Sequence, residues 1–249
     1  MAATRCYIDF AAGDEARYME ELERYRSLST WLEKNAGKYG LSTQLGDLDD
    51  SGRETLSAVY EAETKISLSP TSFTPPHSLL LPRLAINVSS STGLRKTTTN
   101  FLDLLTDSKK LKSKRAPNPP LRYEGCKVFR IEDGFVAQTG DVTRQDGSGG
   151  ESIYGGTFND EKEGLKTPFE LGTIAMANSG KNSNTSQFFV TLTSDPSRLK
   201  KLTGRYVAFA RADTSDPDTR ACLDRLGALA DGKGGTRVPV WIAKCGTCD

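Results

Sequence analysis

The chain has 249 residues, 36% of them hydrophobic, and its 33 Lys and Arg against 32 Asp and Glu leave a net charge of +1. That balance excludes the broad basic footprint of a nucleic-acid binder, so no nucleic-acid partner is expected. No apolar run approaches the ~20 residues that a membrane-spanning helix needs, and no membrane partner is expected either.

In chain order, Arg5–Phe10 alternates in character and predicts a strand, so near the start that no cleavable leader is expected before it. Tyr18, Leu22, Tyr25, Leu28 and Leu32 then recur at helical spacing, with Gly37 and Gly40 as stop signals. Ser51 and Glu54 have capping-box spacing ahead of Leu56, Val59 and Tyr60, predicting a second helix. Asp47, Asp49, Ser51 and Gly52 copy the start of a calcium-binding loop, but its twelfth position falls on Ala58. An acidic turn that caps the second helix is the better reading. Ser67–Pro82 carries four prolines among serines and threonines and predicts an extended linker. Leu94, Thr98, Phe101, Leu102 and Leu105 mark another helix. The basic run Lys109–Arg115 reads as a solvated loop, with a nuclear-import or phosphate-binding patch as the rarer alternative. Within Pro217–Asp231, Cys222, Leu223, Leu226 and Leu229 share one helical face. Gly227–Gly234 nearly spells a phosphate-binding loop, but it lacks the Ser or Thr for Mg²⁺ and follows a helix. The five cysteines are odd in number and scattered, the usage of reduced intracellular thiols. The cytoplasm is the expected compartment, with nuclear or cytoskeletal association as alternatives. Cys245 and Cys248 have C-x-x-C spacing, but His77 is the only histidine and no second ligand pair exists, so no metal is expected.

Two longer motifs say more. Val128-Phe129-Arg130-Ile131, Gly134-Phe135-Val136-Ala137-Gln138-Thr139-Gly140-Asp141 and the following Asp146–Gly155 resemble F-H-R-x-x-P-G-F-x-x-Q-G-G-D and its continuation in cyclophilins. Met176-Ala177-Asn178-Ser179-Gly180 and Asn184-Thr185-Ser186-Gln187-Phe188-Phe189 resemble the same family's M-A-N-x-G-x-N-x-N-x-S-Q-F-F segment. Lys96, Thr97, Asn100 and Phe101 match its K-T-x-x-N-F helix, and Val238–Gly246 is similar to its closing strand. The resemblance covers 5–10 and about 83–246 and implies one mainly β domain over 1–249: a closed eight-stranded antiparallel barrel capped by two α-helices. The second family-like strand appears only at Arg83–Val88, so residues 11–82 are an expected insertion into the first hairpin. That insertion reads as a helical appendage with a proline-rich returning loop, too small to bury a sizeable core alone. Trp31, Tyr18 and Tyr25 on it are candidate docking anchors for a protein partner.

Cyclophilins are peptidyl-prolyl cis-trans isomerases, and the resemblance implies that activity on proline-containing segments of client proteins, in folding or switching. The barrier to rotating a peptide bond is about 18–20 kcal/mol, because the nitrogen lone pair is delocalised into the carbonyl. A catalyst must hold the proline ring, let the carbonyl swing and stabilise the twisted amide; it needs no cofactor. By match to the family, Arg130 is the catalytic arginine and Gln138 the glutamine that orients it. Phe135, Val136, Phe189 and Leu202 match the proline-pocket walls, while Ala177, Asn178 and Gln187 would line the peptide groove.

The departures bear on function. Asp133 replaces a proline, Thr139 replaces a glycine, and Phe129 stands where the family has histidine. Lys201 replaces the family's tryptophan and Tyr206 its histidine, both at substrate-binding positions. Loss of the indole implies weak or no cyclosporin binding. These changes leave a second reading, a catalytically weak cyclophilin-fold subunit of a larger assembly.

Overall fold

The computed structural model describes residues 3–114 and 117–248; Arg115, the end of the basic run, lies outside them. The chain divides into two compact units, Asp14–Leu79 and the remainder. Among the described residues, no helix is long and apolar enough to cross a membrane.

In the 14–79 unit, α1 (Glu15–Tyr39) starts where the Asp14 carboxylate accepts the Arg17 N–H and ends at Gly40, whose φ of 67° suits a residue without Cβ. The helix therefore runs through Gly37, which the sequence had suggested as a stop. Its buried face is Leu28, Leu32 and Ala36. A 3₁₀ turn (Leu45–Asp47) leads to α2 (Asp50–Thr64), capped by Asp49 through a 2.8 Å bond from the Gly52 N–H. The cap is thus Asp49 and not Ser51, because Asp49 occupies the last extended position before the helix. A second 3₁₀ turn (Pro70–Phe73) carries Phe73 inward, and Leu28, Leu32, Leu45, Leu48, Leu56, Tyr60 and Phe73 bury one another. The segment thus has a small apolar cluster of its own. Trp31 stacks on Tyr39 at 6.0 Å and meets Tyr60 edge-on at 5.3 Å, while Tyr25 also packs on this core, so both aromatics are engaged within the unit.

The other unit is built on one eight-stranded antiparallel sheet: β1 (Thr4–Ala12), β2 (Leu84–Val88), β3 (Arg130–Glu132), β4 (Val136–Thr139), β5 (Thr173–Met176), β6 (Phe188–Thr191), β7 (Ala208–Ala212) and β8 (Val240–Thr247), in the order β3-β4-β6-β5-β7-β2-β1-β8. The edges β3 and β8 share no ladder. Instead the residues leading into β3 bridge them: Gly125 donates to Ile242, Ile242 to Cys126 and Val128 to Val240, each at 2.8–2.9 Å. These bonds curl the sheet round and cover the edge groups that would otherwise be open. Alternation fills the interior, with Cys6, Ile8 and Phe10 of β1 and Leu84, Ile86 and Val88 of β2 all buried. Phe101 touches Tyr123, Phe188 and Phe209 with ring centroids 4.9–5.4 Å apart, an aromatic cluster at the centre.

Two helices supply the rest of the interior: α3 (Arg95–Thr106) with Phe101, Leu104 and Leu105, and α6 (Pro217–Ala228) with Cys222, Leu223 and Leu226. The first amides of α3 are capped from a distance, as the Glu161 carboxylate accepts the Lys96 and Thr97 N–H groups at 3.0 and 2.8 Å. Two one-turn helices follow in their places, α4 (Lys162–Lys166) and α5 (Pro196–Leu199). In the basic run, Lys109 pairs with Asp103 and Lys110 with Asp107, as befits a solvated loop.

Candidate active site

With its interior full, the sheet presents its chemistry on the outer surface, in a hollow of about 350 Å³. Arg130 and Gln138 face each other across the β3–β4 ladder, where they are direct partners. The adjacent β4–β6 ladder aligns Gln138 with Phe189, so two neighbouring strand pairs set a guanidinium, an amide and an aromatic ring in one row. Val136, Phe189 and Leu202 are nearly buried and form the apolar floor with Ala177, and Phe135 packs beside them. Phe189 is held on both sides: Phe169 stacks on it at 6.2 Å, and Tyr206 meets it edge-on at 5.1 Å. Arg198 lies over the Phe135 ring at 4.7 Å and donates to the Gly134 carbonyl at 2.7 Å, which pins the loop carrying Asp133.

A chain of amides lies behind the arginine. The Arg130 guanidinium donates to Gln138 Oε1 at 3.5 Å, and Gln138 Nε2 donates to Gln187 Oε1 at 2.9 Å. Gln187 Nε2 in turn donates to the carbonyls of Gly147 and Gly149 at 2.9 and 2.7 Å. The loop bearing those carbonyls is held by Asp141, fully buried, whose carboxylate accepts the main-chain N–H groups of Thr143, Arg144, Gly147 and Gly149 at 2.9–3.1 Å. Burial by itself would raise the pKa of this carboxyl, but the N–H groups of Arg144, Gly149 and Thr143 outweigh it and hold the pKa below the ordinary aspartate value. Thr139 meets no strain, because the left-handed angle falls on Gly140, at φ 84°, where an added Cβ would come 2.8 Å from the Ser186 carbonyl oxygen. The Thr139 hydroxyl instead donates to the Lys127 carbonyl at 2.8 Å.

Of the residues singled out in the sequence, Arg130, Gln138, Phe135, Val136, Ala177, Asn178, Phe189, Lys201, Leu202 and Tyr206 all line this hollow. Gln187 does not; it sits behind Gln138, with its amide turned into the loop. Asn178 borders the hollow while its Nδ2 donates to the Arg205 carbonyl at 3.0 Å, tying two rims together. Two lining residues had escaped notice, Glu132 and Arg205. Glu132 forms an ion pair with Arg130. The signal for it was present, since residues two apart on a strand share a face.

The model of the cyclophilin type peptidyl-prolyl cis-trans isomerase/CLD family matches residues 92–247. The chain belongs to that family. It is also similar to peptidyl-prolyl cis-trans isomerase cyp11 of Rhizopus delemar, with 43% identity over 116 residues, 47% of this chain and 32% of that protein. The match thus spans about a third of the curated relative's length. The arginine hollow lies within the matched region of this cyclophilin fold, whereas the 14–79 unit lies outside it.

Proposed function

We propose that this protein is a peptidyl-prolyl cis-trans isomerase acting on Xaa-Pro bonds in client proteins, in their folding or conformational switching. The observation that carries this reading is a guanidinium at the mouth of an apolar hollow, backed by Gln138 and bordered by Phe135, Val136, Phe189 and Leu202. A proline ring fits such a floor by burial of its methylenes. As the amide twists, its nitrogen recovers a lone pair and becomes an acceptor, and Arg130 is the donor positioned for it. Gln138 both orients Arg130 and offers an amide to the peptide backbone, while Ala177 and Asn178 border the path of an extended chain. Gln187 is assigned a positioning role, since its contacts are with Gln138 and the loop carbonyls. The five free thiols suit a reducing compartment, and the cytoplasm is the assigned location.

A coupled isomerisation assay on proline peptides tests the reading. Arg130→Ala is expected to raise the barrier by about 2–4 kcal/mol, the scale of one preorganised donor. A wild-type rate equal to the uncatalysed one would refute it.

One observation favours a second reading. Glu132 pairs with one nitrogen of the Arg130 guanidinium, so a carboxylate competes with a bound peptide for that donor. On this reading the fold serves as a binding subunit, and the 14–79 unit offers Tyr18 and the 53%-exposed Met19 to a protein partner. Glu132→Ala separates the two: an accelerated variant identifies a restrained enzyme, and no turnover with or without the carboxylate identifies a binding subunit.

A further inference from the structure

Four charged side chains line the arginine hollow: Arg130, Glu132, Lys201 and Arg205. They do not cancel. Arg130 and Glu132 pair with each other, leaving Lys201 and Arg205, both exposed, with no side-chain hydrogen bond or ion pair among the described residues. The carboxylates nearest in sequence are engaged and do not line the hollow: Asp195 caps α5 through the Ser197 N–H, and Asp213 accepts from the Ser215 hydroxyl and pairs with Arg5.

Both free cations stand on one turn, and that turn is fixed. The Leu202 N–H donates to the Leu199 carbonyl at 3.0 Å, the Gly204 N–H to Leu165 at 2.9 Å, and the Arg205 carbonyl accepts from Asn178. Lys201 directly precedes Leu202, part of the apolar floor, so a charge on the residue beside a seated proline falls within reach of its ammonium. An exposed cation loses little hydration when an anion approaches, and two of them on a fixed support attract anions and repel cations.

We infer that Lys201 and Arg205 are specificity-determining residues that select client segments bearing an anionic side chain, a carboxylate or a phosphate, on a residue adjoining the proline. The inference rests on the proposed isomerase site, but it is a statement about binding and can be read without turnover. Four peptides differing only beside proline, with Glu, phosphoserine, Ala or Lys, are titrated into the full chain by NMR, with affinity from the titration and isomerisation from exchange between cis and trans peaks. Glu and phosphoserine peptides are expected to bind about fivefold to tenfold tighter than the Lys peptide, with Ala between, and the spread to close in about 1 M salt. The double variant Lys201→Glu with Arg205→Glu is expected to reverse the order, and Lys201→Gln with Arg205→Gln to flatten it. If phosphoserine exceeds Glu well beyond the charge difference, phosphate is the selected group; equal binding identifies either anion.

Equal binding of all four peptides by wild type, or an order indifferent to both double variants, overturns the inference. Acidic preference without exchange upholds it and refutes the isomerase reading, exchange without preference does the reverse, and no binding by any peptide refutes both.

Discussion

Asp141→Asn tests the scaffold behind the arginine. One oxygen of the buried carboxylate accepts from Thr143 and Arg144, and the other from Gly147 and Gly149. Asparagine is close to isosteric, but whichever way it is turned its NH₂ faces two N–H donors. Two charge-assisted bonds are lost, each worth about 1.5–3 kcal/mol. Part of that is recovered because loop amides can turn to water, so the expected loss is about 3 kcal/mol. The pH dependence carries a matching sign. The folded-state pKa of Asp141 lies below its unfolded value of about 3.9, so its stabilisation is fully present above about pH 4 and disappears as the pH falls through the folded value. Amide hydrogen exchange at Gly147 and Gly149 gives a local readout. At pH 7 the variant should lose protection there together with global stability in urea, and the gap from wild type should shrink as the pH falls below about 4. The Gln187 anchor loosens with the loop, so peptide affinity should fall as well. Equal urea midpoints at pH 7, or a gap that persists undiminished in acid, would refute the account of how this loop is held.

Burial, above other effects, pushes the thiols of Cys6, Cys126, Cys222 and Cys245 up to about 12, whereas Cys248 is exposed. A disulfide reagent at pH 8 should therefore label one cysteine rapidly in the native protein and five after denaturation, and two or more fast thiols would contradict the burial described. Replacing 14–79 by a short turn should leave a folded barrel, because the junction is already held by the Leu81 N–H donating to Phe10 at 2.8 Å and the Gly13 N–H to Pro239 at 3.0 Å. Loss of the native NMR dispersion of Phe101 and Tyr123 would show otherwise. Lys201→Trp should raise cyclosporin affinity by about 1–2 kcal/mol through an added aromatic wall and N–H donor, measured by calorimetry. Unchanged affinity would place the drug away from this rim.

Much of the architecture was legible along the chain because its causes are local. Alternation in Arg5–Phe10 marks a strand whichever strands flank it, and the spacing of Leu94 to Leu105 marks a helix before its packing is known. The two long motifs likewise placed Arg130, Gln138 and Phe189 together, since that juxtaposition is written into strand pairing. Other features needed the tertiary structure. Helical spacing on α1 and α2 could not reveal that Leu45, Leu48 and Phe73, from turns between and after the helices, complete a core. Gln187 looked like a groove residue, but which way a long side chain turns depends on partners 40 and 38 residues away, the carbonyls of Gly147 and Gly149. The charge balance of the hollow was hidden for the same reason. Glu132 neutralises Arg130 because both project from one face of a three-residue strand, and Arg205 joins Lys201 because a turn returns it to the same rim. Sequence spacing determines which side chains share an element. Only the curled sheet determines which charges meet, and so which are left without a partner at its rim.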